Sequence, residues 1–250
     1  MALFALVTWQ VAARGPLRSL DERLAGELTA SSGFGPTLLP SPAAEFFADL
    51  GNMAVALPVL MAVLGWVVWR ERRAGAARLW LPPVAAAVAM AAVLALVVPL
   101  KALVDRPGPP GPLADGSGFY PSGHAATAAV AYGAAVLLLR PNLRRPNLRR
   151  PNLRRPYLLR PYLRRPYLRR PYLRRPAARR ALVGAVALLN LAVGTGLVRR
   201  GYHWPLDVFG SWCLSGCLLW ALWRTLRWRE RRTASGASSR TVESPGDGQG

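Results

Sequence analysis

Residues 79–101 read LWLPPVAAAVAMAAVLALVVPLK, a run without a charge from Leu79 to Leu100 that stops on a lysine. A helix needs roughly 20 apolar residues to cross the hydrocarbon core of a bilayer, and this run has them. Three more runs qualify or nearly do: Asn52 to Trp69, Ala181 to Val198, and Trp204 to Trp223. His124 to Leu139 is shorter, and Met1 to Ala13 is shorter still. The expected fold is therefore all-α, a polytopic membrane bundle of about six helices. Met1–Ala13 lacks the basic start of a signal peptide; it reads as a short first membrane helix, or one whose true start lies upstream.

The charges between these runs orient them. The chain carries 33 Lys and Arg against 12 Asp and Glu, a formal net charge of +21. On a soluble domain that excess would suggest a nucleic-acid partner, but here it sits between apolar runs. Met1 inside puts 15–45 outside, Arg70–Arg78 inside, Lys101–Gly123 outside, Arg140–Arg180 inside, Arg199–His203 outside and Arg224–Arg232 inside. The dense basic segments then share the cytoplasmic side, as the positive-inside rule requires. The expected location is the cell membrane, with multiple spans.

The cytoplasmic segment 140–180 holds sixteen arginines, most within a five-residue repeat. It reads PNLRR three times, PYLLR once and PYLRR three times over 141–175. Proline at every fifth position removes donors and clashes with the preceding turn, so an extended loop rich in polyproline II is expected. Such a loop suits anionic headgroups, at roughly 1 kcal/mol per basic residue near the surface. It is equally an expanded repeat that the fold tolerates. Nucleic-acid binding ranks behind both, although tyrosines alternate with the arginines. The domain is expected over 1–232, with a disordered tail over 233–250. Cys213 and Cys217, four apart in the last run, read as small apolar side chains, and no ligand cluster accompanies them.

Three polar segments border the runs on the outer side: Lys101 to Pro109, Tyr120-Pro121-Ser122-Gly123-His124, and Arg199 to Asp207. Pro205 suits the first turn of a helix, which sets His203 and Asp207 about one turn apart. A carboxylate on Nδ1 fixes the tautomer and leaves Nε2 as nucleophile or base; the plainer alternative is a structural hydrogen bond. Pro-Ser-Gly-His opens a run, so its amides are free to attract an anion. There Ser122 adds a hydroxyl, Gly123 allows close approach and His124 can donate a proton; the alternative is an ordinary capping serine beside an interfacial histidine. Lys101 binds an anion or merely snorkels to the boundary.

Taken together, the three segments resemble the type-2 phosphatidic acid phosphatase superfamily, which also holds haloperoxidases. Its motifs are Lys-x6-Arg-Pro, Pro-Ser-Gly-His and Ser-Arg-x5-His-x3-Asp. Lys101 and Pro109 match the first, residues 121–124 match the second throughout, and His203 and Asp207 match the third. The first arginine falls instead on Gly108, and the Ser-Arg pair on Gly196 and Leu197. The resemblance implies an attacking His203, an orienting Asp207 and a proton-donating His124. It also implies a phosphate held by Lys101, Ser122 and Gly123. Arg106, Arg199 and Arg200 stand near enough to replace the missing clamp. No metal or cofactor is implied. The implied substrate is a lipid phosphate or polyprenyl diphosphate; the alternative is a phosphatase-like membrane protein that binds lipid or acts as a scaffold without turnover.

Overall fold

The structure, a computed structural model, describes residues 1–30, 40–73, 75, 80–110, 115–142 and 176–239. Eight helices occur among them: α1 Ala2–Ala12, α2 Pro16–Ala30, α3 Ser41–Leu50, α4 Met53–Arg73, α5 Leu81–Val104, α6 Gly123–Asn142, α7 Pro176–Arg199 and α8 Pro205–Ser239. No strand occurs among the described residues. α4, α5, α7 and α8 are long and apolar enough to cross a membrane, while α1 and the Gly123–Leu139 part of α6 are apolar but shorter. These are the six runs read from the sequence.

Two helices were not read from it. The connection over 15–45 holds α2 and the first half of α3, both too polar or too short to span. α2 has three faces at helical spacing. Asp21 and Ala25 are buried against the bundle, Leu17, Leu20 and Leu24 are exposed, and Arg23 is exposed on the side opposite Asp21. α8 continues to Ser239, past the expected end of the domain at Arg232. The stretch after Trp228 has no proline until Pro245, and a nucleated helix extends cheaply. The repeat over 143–175 and the tail over 240–250 lie outside the described residues.

α6 is the centre of the bundle and packs on α4, α5, α7 and α8. Its sequence explains that place. Ala125, Ala126, Ala128, Val130, Ala131 and Ala134 are all buried, and small side chains let neighbouring backbones close in. Where α8 crosses, Gly133 leaves room for Leu219, whose Cδ1 would lie 2.5 Å from an added Cβ.

The two ends of the bundle differ in chemistry. At one end, arginines lie over tryptophan rings: Arg70 on Trp66, Arg73 on Trp69, Arg72 on Trp80, Arg224 on Trp220 and Arg227 on Trp223. Such pairs suit an interfacial belt. The other end gathers the close of α5, the start of α6, the close of α7 and the start of α8. α2 and α3 cover that end.

Candidate active site

The α5 end delivers Lys101 and Arg106 by different means. Lys101 sits in the last turn of α5, and its Nζ donates to the Gly118 carbonyl at 2.7 Å. This bond turns the ammonium toward the 105–122 connection. Asp105 then adopts a left-handed conformation (φ 41°) and donates its N–H to the Lys101 carbonyl, which turns the chain off the helix axis. The connection folds back on itself: Gly108 donates to Gly116 O at 2.9 Å and Phe119 to Arg106 O at 3.0 Å.

Ser122 caps α6. Its Oγ accepts the Ala125 N–H at 3.2 Å, and its own N–H donates to the Asp207 carbonyl at 3.1 Å. Capping satisfies an amide that the helix start leaves without a partner. Ser211, one turn after Asp207, has its hydroxyl 2.8 Å from Ser122 O and 2.7 Å from Asp207 O, so its one proton serves the two carbonyls in turn. Tyr120 is fully buried beside this seam, with its hydroxyl 2.9 Å from Thr8 Oγ1 of α1. Burial pushes that hydroxyl up to about 12, so it stays neutral. Gly210 is required here, because an added Cβ would lie 2.5 Å from the Tyr120 oxygen.

The α8 start carries the third segment. Pro205 opens the helix, which puts Asp207 in its first turn. Asp207 is fully buried and fully engaged. Oδ2 lies 3.4 Å from His203 Nδ1 and accepts the Trp204 N–H at 3.1 Å, while Oδ1 accepts from Arg106 at 2.7 Å. The expected one-turn pairing of His203 and Asp207 is present, at the long end of hydrogen-bond range. Phe119 meets the His203 ring edge-on, with centroids 5.7 Å apart.

Arg106 is not at the surface of the site. Its guanidinium is fully buried, bonded to Asp207 on one side and to Asp21 Oδ2 of α2 on the other at 2.8 Å, and it stacks on Trp204 at 4.9 Å. Asp21 Oδ1 also accepts the Leu206 N–H at 2.9 Å. Burial pushes the Asp21 carboxyl above the ordinary carboxylate range, and Arg106 and the Leu206 amide pull it back.

One cavity of about 560 Å³ opens at this end. Lys101, Gly123, His124 and His203 line it, with Thr127, Tyr202 and an apolar wall of Met53, Val93, Leu94, Val97 and Phe119. Four of the nine site residues expected from the sequence thus come together. Ser122 and Asp207 stand directly behind them. Arg106, Arg199 and Arg200, expected near a substitute clamp, do not line the cavity. Arg106 is held inward by two carboxylates. Arg200 is bound to Glu45 of α3 and is exposed, and Glu45 also accepts from Tyr202 at 2.9 Å. Arg199 closes α7, half-buried and away from the cavity.

The packing also shows why the third motif lacks its first pair. A Cβ on Gly196 would lie 2.5 Å from the Ala44 carbonyl oxygen and 3.0 Å from the Ala48 nitrogen. Leu197 is buried in the main core. α3 lies directly on Gly196, so a serine there would meet its backbone, while an arginine at 197 would enter the core.

Sequence reasoning missed Asp21, Tyr120 and Ser211. Ser211 left a trace: Asp207, Ser211 and Ser215 recur every four residues through an otherwise apolar run, which marks one helix face. Asp21 left none, because its partner lies 85 positions away.

The profile of the PAP2 superfamily matches residues 82–231, more than half of the chain. The chain belongs to this superfamily. Together with its apolar helices, that makes it an integral membrane protein. Among solved structures it is similar to the transmembrane PAP2-type phosphatidylglycerolphosphate phosphatase from Bacillus subtilis. The TM-score is 0.62 at 18% identity, over 92% of this chain and 96% of that one. That likeness shows the fold. No curated protein matches the chain.

Proposed function

We propose that this PAP2 protein hydrolyses a lipid phosphate or polyprenyl diphosphate at the outer membrane face through a phosphohistidine on His203. The observation that carries the reading is the shared cavity: Lys101, the Gly123 amide, His124 and His203 line one polar floor beside an apolar wall. With Nδ1 turned to Asp207, His203 Nε2 attacks phosphorus and the bond to the lipid oxygen breaks. His124 protonates that oxygen as it leaves. His124 then takes a proton from water, whose oxygen attacks the phosphohistidine and releases phosphate with His203 restored. Lys101 and the amides at the start of α6 balance charge on the phosphoryl oxygens. The apolar wall suits the chain attached to the phosphate. On the opposite face, the arginine–tryptophan belt supports a cytoplasmic side, where the repeat over 141–175 would meet anionic headgroups.

The test is phosphate release by the purified protein in detergent, over phosphatidic acid, phosphatidylglycerol phosphate and polyprenyl diphosphate, with His203→Ala as control. Release that survives His203→Ala removes the proposed nucleophile. One observation favours a second reading, a lipid-binding protein without turnover: among the described residues, Lys101 is the one lysine that lines the cavity and no arginine lines it. Binding of these lipids with no release from any would select that reading.

A further inference from the structure

Arg106 is the most deeply buried cation described, yet it does not line the cavity. Its partners give it a different purpose. One guanidinium lies between Asp207 at 2.7 Å and Asp21 at 2.8 Å. Were Arg106 paired with Asp207 alone, the two charges would cancel and leave little field to hold a proton on the neighbouring imidazole. Asp21 supplies the second negative charge. The three side chains then keep one net negative charge behind His203, in a buried setting where charges act more strongly than in water.

We propose that Asp21 and Arg106 are positioning residues that set how firmly Asp207 holds and orients the His203 imidazole. Their importance to catalysis rests on the His203 reading above; their effect on the imidazole does not. α2 is then more than a cover over the site. It carries Asp21 to the start of α8, where Asp21 also accepts the Leu206 N–H at 2.9 Å and is fixed relative to Asp207. The other groups facing Asp207 and His203 are Lys101 of α5, Tyr120 of the 105–122 connection and His124 of α6. Glu22 of α2 stands 3.8 Å from Arg106 and is more exposed. None of these lies between Asp21 and Arg106.

The charge count fixes opposite signs for two substitutions. Asp21→Asn removes a negative charge, so the His203 titration moves to lower pH. Arg106→Gln removes the positive charge, so it moves to higher pH. A shift of about half a unit or more is expected for each, below the 1–3 units of a directly adjacent charge. The chain has two histidines, so the full-length protein in detergent, labelled at histidine, gives two imidazole titrations by NMR. His124→Gln assigns them.

Opposite displacements support the relay. An unmoved midpoint in Asp21→Asn overturns it, as does movement of both variants in one direction, which loosened packing would produce. If Arg106→Gln does not fold, Asp21→Asn decides alone, since asparagine keeps the shape and an acceptor for Leu206. The measurement needs no substrate. A chain that releases no phosphate would sink the hydrolase reading and leave this one standing. In an active chain, the acidic limb of kcat/KM follows the same two shifts.

Discussion

Two stretches of the α7–α8 corner, seven residues apart, have opposite characters. At His203–Asp207 every polar atom of the carboxylate is engaged, by His203, Trp204 and Arg106. At Gly196–Leu197 there is no polar side chain, and the α3 backbone fills the space. The family motif places the nucleophile at the first stretch and part of the phosphate grip at the second. This chain keeps the first and has turned the second into a helix crossing. The His203–Asp207 pair is therefore kept without the Ser-Arg pair of the motif, because the two stretches are held by different contacts.

The largest expected effect lies on the first stretch. His203→Ala should lower phosphate release by about a thousandfold or more, since removal of a covalent nucleophile commonly costs at least that. Thermal stability should change little, because the ring lines a cavity. Release rates and a melting curve on one preparation check both halves. A parallel fall in stability would make His203 a packing residue, and the contrast between the stretches would disappear.

Leu197→Arg attacks the contrast from the other side. It restores the motif arginine where the core is closed. An unpaired buried charge costs about 3–5 kcal/mol, so the variant should lose most of its folded fraction in a detergent melt. If instead it folds and turns over faster, α3 yields easily at this crossing, and the sealed groove is a resting arrangement.

The sequence already showed one of these stretches. His203, Pro205 and Asp207 are close in the chain, so helix geometry alone brings them together, and Ser122–His124 are contiguous for the same reason. The six apolar runs were legible because the bilayer sets their length. The closing of position 196 was not legible, since it depends on α3 crossing α7, a contact between segments some 150 residues apart. The inward turn of Arg106 was hidden likewise. Its direction is set by the left-handed residue at Asp105 and by Asp21 on α2, a helix without an apolar run to mark it.

Gly196→Ser is the milder version of the Leu197 test. A hydroxymethyl group against the Ala44 carbonyl forces α3 to shift, and overpacking of this kind costs about 1–3 kcal/mol. A lowered melting point with preserved release is expected, because the cavity is lined by other residues. A gain in substrate affinity would instead show that serine can reach the phosphate once α3 moves.

The smallest effect belongs to Arg200, the remaining candidate for a substitute clamp whose partner is plain. Its Nε donates to Glu45, and its side chain is 39% exposed. A solvated ion pair contributes little, and Tyr202, not Arg200, faces the cavity. Arg200→Ala should therefore leave kcat/KM within about twofold of the parent, with Glu45→Gln equally mild. The two variants separate a latch from a clamp. A latch joins α3 to the α7–α8 corner, so losing either partner has one and the same small effect. A clamp gives opposite effects: Arg200→Ala raises KM steeply, whereas Glu45→Gln frees the guanidinium and lowers it. Equal, small changes in KM would rule Arg200 out as a clamp and leave Lys101 and the α6 amides as the candidates for the phosphate grip.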